Sequence, residues 1–171
     1  MAEDDVARRR TRHRERPAHT FGPLSDSSLD ENAIRLLLVS FRITERRLLT
    51  RAAVHGYSDI RMTHFPIMRS MSRGAERMTD IAERANITKQ TAGALVHELE
   101  TMGYIGRYPD PRDGRAKVVR FTRRGRTLMR ALPHILDDTI GDLVDLIGTS
   151  DLDELMRILG KLVKTSGDPL G

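Results

Sequence analysis

At Gly103 the apolar period of this chain changes. Upstream, Ile81, Ile87, Ala92, Leu95, Val96 and Leu99 recur at helical spacing. Downstream, Tyr104–Tyr108 and Lys117–Phe121 read as two strands, separated by the turn sequence Pro109-Asp110-Pro111-Arg112-Asp113-Gly114-Arg115. Before the change, a short helix opens at Thr79, an N-cap candidate, and runs through Arg84. The tight turn Ala85-Asn86-Ile87 leads to a second helix, capped by Thr88 and ending near Met102. Two short helices joined by such a turn form a helix-turn-helix, and a hairpin after it makes a winged helix. The expected fold is mainly α with a small β-wing.

The flanks carry too much apolar surface for one small domain to cover. Ile34, Leu37, Leu38, Phe41, Leu48 and Ala52 form a helical stripe, and Leu36 and Ile43 lie off it. A helix apolar on more than one side needs two neighbours. It opens near Ser28 or Asp30 and ends near Gly56; a shorter helix over Met62–Met71 follows, with Pro66 in its first turn. After the wing, a helix from about Arg123 to Ile147 is spaced by Met129, Leu132, Leu136, Ile140, Leu143 and Ile147, and Pro133 should kink or break it. The last helix opens at Ser150, with Asp153 completing a capping-box pattern. Leu152, Leu155, Met156, Leu159, Leu162 and Val163 follow the helical template. These helices make either a dimer interface with the first helix or an intramolecular bundle. The organisation expected is a disordered basic arm (1–28), an N-terminal dimerisation helix (29–56), a winged helix-turn-helix DNA-binding domain (57–122) and C-terminal dimerisation helices (123–171).

Charge sharpens the picture. The segment 72–126 holds twelve basic and seven acidic residues, whereas 127–171 holds four and eight. A basic block inside a folded segment fits a polyanion partner or a solvated charged face. The arm places six arginines among four acids, with almost nothing to bury, and reads as a DNA-phosphate contact or a solubilising tail. The chain has no cysteine, which excludes disulfides, thiolate metal sites and cysteine redox sensing. With aromatics at 4% and no Trp, stacking platforms for single strands are not expected. No apolar run is long enough for a membrane span, and a cytoplasmic location is expected. The six histidines show no ligand spacing such as H-E-x-x-H, and no phosphate-cradling loop or nucleophile elbow is present. Neither an enzyme, nor a metal site, nor a cofactor is expected.

The segment 79–126 resembles the MarR family of bacterial transcription regulators. The resemblance rests on Thr79-Asp80-Ile81-Ala82, Thr88-Lys89-Gln90-Thr91, and Leu99-Glu100-Thr101-Met102-Gly103-Tyr104-Ile105. It extends to Asp110-Pro111-Arg112-Asp113-Gly114-Arg115, which fits a D-x-R-D-x-R wing at all four fixed positions, and Phe121-Thr122-Arg123-Arg124-Gly125, like L-T-x-x-G. The family implies a homodimer on a pseudo-palindromic double-stranded operator, mostly as a repressor, released by a small aromatic or anionic effector. It assigns Arg115 to the minor groove with Asp113 steering its guanidinium, and places Arg112 beside it. By resemblance an effector crevice would draw on Arg42, Arg46, His64 and Met68.

Residue chemistry agrees with the resemblance. Lys89, Gln90, Gly93, Ala94 and His97 share one side of the second helix. Gln90 can pair with adenine, Thr91 can reach base or backbone, and Ala94 can touch a thymine methyl. Thr79 marks a helix N-terminus able to hold phosphate. Gly93 and Ala94 depart from the larger polar or basic side chains usual in the family. Glycine there either lets the helix approach the groove closely or is merely tolerated. Two other functions remain open: a nucleoid-type protein binding DNA without an operator, and a non-DNA interaction module on the same fold.

Overall fold

The structure, a computed structural model, describes residues 32–71, 74, 76–111 and 113–166. The arm, the expected caps Ser28 and Asp30, and Arg112 lie outside the described residues. The elements are α1 (Ala33–Val54), a 3-10 turn (Met62–His64), α2 (Phe65–Ser70), β1 (Glu76–Arg77), α3 (Met78–Arg84), α4 (Lys89–Thr101), β2 (Ile105–Asp110), β3 (Asp113–Phe121), α5 (Arg123–Ile147) and α6 (Thr149–Ser166).

The chain divides into two compact units, Met1–Phe41 and Arg42–Gly171. In the described part of the first, Asn32 Oδ1 accepts the Arg35 N–H at 2.8 Å, satisfying one of the donors a helix start leaves open. Ile34, Leu36, Leu37, Leu38, Val39 and Phe41 are all exposed there.

The second unit is built around the helix-turn-helix. Ile81, Ala92, Val96, Leu99 and Tyr104 are fully buried, joined by Ile67 and Met71 from α2 and its end and by Leu128 and Ile135 from α5. The turn between α3 and α4 closes with the Ile87 N–H on the Ala82 carbonyl at 3.0 Å, and Asn86 takes φ 52°, a region open to asparagine at small cost. Thr88 caps α4 as expected, its hydroxyl accepting the Thr91 N–H at 3.1 Å. α4 stops at Gly103, whose φ of 76° disfavours any side chain.

The described strands form a three-stranded antiparallel sheet in the order β1-β3-β2. Both wing strands run further toward the hairpin tip than the alternation predicts, to Asp110 and from Asp113, with an irregularity at Pro109/Asp110. β1 has no counterpart in the sequence reading: two residues carry no period. Its presence moves the start of α3. Arg77, extended and paired with Val118, is the N-cap, so Thr79 is the second helical residue and donates to Asp80 Oδ1 at 3.1 Å.

The Thr122-Arg123-Arg124-Gly125 signature joins wing to α5. Thr122 Oγ1 accepts the Gly125 N–H at 3.2 Å and donates to the Gly103 carbonyl at 2.6 Å. A Cβ at Gly125 would run into the Tyr104 carbonyl oxygen, so this close approach requires glycine. Arg124 stacks over the Tyr104 ring with 4.3 Å from guanidinium carbon to ring centroid, and donates to Asp59 Oδ2 at 2.9 Å. Burial, with the Asp59 hydrogen bond, holds the Tyr104 phenol well above its ordinary pKa.

Three helix expectations are corrected. The segment Met62–Met71 divides into a 3-10 turn and α2, with Pro66 in the first turn of the latter. α5 continues through Pro133, which is exposed, while Leu128 and Ile135 on either side are buried. α6 opens at Thr149, directly after Gly148 at φ 79°, rather than with Ser150 as its cap. Arg51 Nε donates to Asp142 Oδ2 at 2.9 Å and His55 Nε2 lies 2.9 Å from Asp138 Oδ2, which ties the end of α1 to α5. Leu136, Ile140, Leu146 and Ile147 of α5, and Leu155, Met156, Ile158, Leu162 and Val163 of α6, stay exposed. Among the described residues no helix is long and apolar enough to cross a membrane.

Candidate nucleic-acid interface

The helical period sorts α4 into two sides. Ala92, Val96 and Leu99 turn inward with no exposure, and Lys89, Gln90, Thr91, Ala94, His97 and Thr101 are exposed, with Gly93 half-buried among them. A Cβ built at Gly93 meets nothing within 4 Å among the described residues, so their packing does not require glycine there.

Both acids near the end of α4 are drawn sideways into ion pairs. Glu98 Oε2 lies 3.0 Å from His64 Nε2 and is also paired with the Arg61 guanidinium. Glu100 Oε2 sits 3.3 Å from Arg107 Nε on β2. The His64 hydrogen bond, with Arg61, holds the Glu98 carboxyl below its ordinary pKa. The outward side of α4 is thus left with one lysine, one histidine, hydroxyl and amide groups and small side chains, the composition a major-groove helix presents.

In the wing, Arg115 is exposed. Asp113 does not reach its guanidinium in this arrangement. Asp113 Oδ1 accepts the Arg115 backbone N–H at 3.1 Å, so it shapes the turn that carries Arg115. Asp110, the first acid of the wing pattern, is buried against Arg77, which donates from Nε at 2.8 Å and from Nη2 at 2.6 Å. This contact joins residues 33 apart in sequence, and nothing local in the sequence announces it. Lys117 and Arg120 are further exposed cations on β3 that the motif did not single out; they flank the buried pair Val118-Val119, and strand alternation does not announce them.

Of the four residues assigned to an effector crevice, Arg42 and Arg46 are exposed on α1, while His64 and Met68 are closed inside the core. An open cleft of about 260 Å³ beside α4 is lined by Asp59, Arg61, His97, Glu98, Thr101 and Met102, and so includes none of the four. Among the described residues no group of three or more His, Asp or Glu side chains is placed to hold a metal ion.

Residues 58–116 match the sequence model of the MarR family. Several solved structures share the fold. The reduced form of MarR from E. coli superposes with a TM-score of 0.64 at 16% identity, over 77% of this chain and 96% of that one. CouR, a transcriptional repressor bound to a 23-mer DNA duplex, gives 0.63 at 20% identity over 83% and 99%. The regulator BldR from Sulfolobus solfataricus gives 0.56 at 19% over 83% and 99%.

Proposed function

With the MarR-family signature at residues 58–116 and the winged-helix fold of MarR-family regulators around it, we propose that this chain is a sequence-specific double-stranded DNA-binding transcriptional regulator. The observation that supports this most is the acid-free outward side of α4. The carboxylates of α4 itself, Glu98 and Glu100, are paired with Arg61, His64 and Arg107, and Asp59, which lines the same cleft as His97, is paired with Arg124, so the side that would enter a major groove offers reduced repulsion toward phosphate. Gln90 and His97 are the reading groups, with Ala94 against a thymine methyl. Lys89, Thr88, Thr91 and the N-terminal turn of α3 at Thr79 hold phosphate. Arg115 enters the minor groove, where a guanidinium senses width. Arg112 is assigned beside it from the motif alone.

The regulator acts as a homodimer on a pseudo-palindromic operator and represses by occupying it. Support for the dimer comes from the apolar side chains that α1 leaves exposed and, separately, from those of α5 and α6; each large aliphatic side chain buried on association contributes about 1.5–3 kcal/mol. A small aromatic or anionic effector releases the DNA by favouring a spacing of the two lobes that does not fit the duplex. Arg42 and Arg46, both exposed, are the partners for its acid group.

Selection of bound fragments from random duplex DNA tests the reading. A palindromic consensus with half-sites about one helical turn, on the order of 10 bp, apart is expected. Recovery of DNA without a consensus would leave a nucleoid-type protein, and recovery of none would leave an interaction module.

A further inference from the structure

Arg77 stands where three parts of the winged helix meet. It ends β1, pairs with Val118 of β3, and is the N-cap of α3. Its guanidinium extends along the hairpin to both acids at the tip. Nε and Nη2 lie 2.8 and 2.6 Å from Asp110 Oδ2, and Nη2 lies 3.6 Å from Asp113 Oδ2. Asp110 and Asp113 are the register pair that closes the β2–β3 ladder, so one cation bridges both strand ends. The Asp110 side chain is only 7% exposed and the Arg77 side chain 46%, so the carboxylate is held inside the fold while its partner reaches it from the surface. The other acid, Asp113, holds the Arg115 N–H at 3.1 Å.

Among the described residues, β1 covers β3 at Val118 and Val119. Beyond them the wing is a two-stranded ribbon, a form with little stability of its own. A ribbon free to pivot at its base keeps its tip in any one place only part of the time, and affinity falls by that fraction.

We propose that Arg77 is the positioning residue of the wing. By tethering the hairpin tip to the start of the helix-turn-helix, it fixes where Arg115 stands relative to α4. The consequence for binding rests on the DNA-binding reading above; the consequence for order at the tip does not. Arg77 acts through Arg115 and need not touch the duplex itself.

The test combines Arg77→Gln, Arg77→Lys, Asp110→Asn, Arg115→Ala and the Arg77→Gln/Arg115→Ala pair. The DNA probe is a fluorescent duplex recovered from random DNA by the wild-type protein. Arg77→Gln is expected to weaken binding roughly tenfold, comparably to Arg115→Ala, and the double variant to bind within about twofold of the weaker single one, because residues acting as one unit are not additive. Arg77→Lys, which keeps the charge without the planar fork, should recover part of the loss. In the free protein, amide exchange at Gly114 and Arg115 should speed up in Arg77→Gln and in Asp110→Asn, with the exchange of α4 unchanged. Losses that multiply in the double variant, or wild-type affinity in Arg77→Gln, would overturn the proposal. So would unchanged exchange at the tip with a lowered melting temperature, which marks a general structural role. If the wild-type protein selects no DNA, the DNA-binding reading fails, and exchange at the tip judges the tether alone.

Discussion

Glu98, on the helix that faces the proposed groove, accepts a hydrogen bond from the fully buried His64 imidazole, Nε2 to Oε2 at 3.0 Å. The Arg61 backbone N–H donates to His64 Nδ1 at 3.1 Å, so Nδ1 is the acceptor and Nε2 carries the proton. The 3-10 turn is thereby fixed to the C-terminal part of α4. His64→Ala is expected to cost about 1–3 kcal/mol for the stranded Arg61 N–H, with a cavity penalty added. Urea unfolding of the free protein measures this, and an unchanged midpoint would remove His64 from the framework.

The same pair gives the fold a pH dependence. The Glu98 carboxyl is held low in the folded state, first by His64 and then by Arg61. A carboxylate depressed on folding contributes stability above its unfolded pKa of about 4.3, and that contribution is lost as pH falls through the folded value. Glu98→Gln should therefore melt below wild type at pH 7, with the difference closing as pH drops below about 4. A difference that stays constant from pH 7 to pH 3 would refute this origin.

Reading and holding should separate on α4 and the wing. Gln90→Ala is expected to relax preference at one base pair per half-site, by about 1–3 kcal/mol of discrimination. Lys89→Ala and Arg115→Ala should weaken binding and flatten its salt dependence, Lys89→Ala uniformly across sequences. Selections with each variant on one random library make the comparison. A Gln90 variant that keeps the wild-type preference at every position would move the reading face elsewhere.

Gly93 offers a sharper case, because its φ is ordinary and a Cβ there meets nothing within 4 Å among the described residues. Gly93→Ala should stabilise the free protein by about 0.5–1 kcal/mol, since alanine restricts the unfolded chain and favours the helix. The added methyl stands on the side proposed to meet DNA, and duplex affinity should fall while stability rises. Thermal melts and binding isotherms on one preparation check both halves. Gains in both would show that glycine is only tolerated at this position.

What the sequence discloses is what its local chemistry determines. Thr88 is a hydroxyl one residue before a helical period, and it caps α4. Gly103 stops that helix, and Thr122 and Gly125 mark the entry to α5. What stayed hidden depends on distant partners. β1 exists because Val118 and Val119 offer it a neighbouring edge, and through it the cap of α3 falls on Arg77 instead of Thr79. His64 and Met68 looked available for an effector because burial beneath α4 leaves no trace in their spacing. Pro133 is expected to kink or break its helix because its own geometry opposes one, yet α5 runs unbroken through it, with Leu128 and Ile135 buried on either side. Asp113 was assigned to a guanidinium and holds a backbone N–H, a choice made by the turn and not by the motif.

The proposed dimer can be tested without disturbing the protomer. Leu155 and Leu162 of α6 are 39% and 57% exposed, whereas Leu152 is buried at 5%. Charge at the first two positions should leave the fold intact, and charge at Leu152 should not. Leu155→Glu/Leu162→Glu replaces two apolar side chains in each protomer, each contributing about 1.5–3 kcal/mol when covered. Every 1.4 kcal/mol is tenfold in affinity, so the dimer should weaken at least a hundredfold and become monomeric in sedimentation at micromolar concentration. Operator affinity should drop with it, because two half-sites then bind independently. Removing residues 150–171 should give the same result at a greater cost in stability, since it also takes Leu152 out of the core. A wild-type protein that is monomeric at micromolar concentration, or a double variant that still sediments as a dimer, would place the apolar faces of α5 and α6 outside any dimer interface.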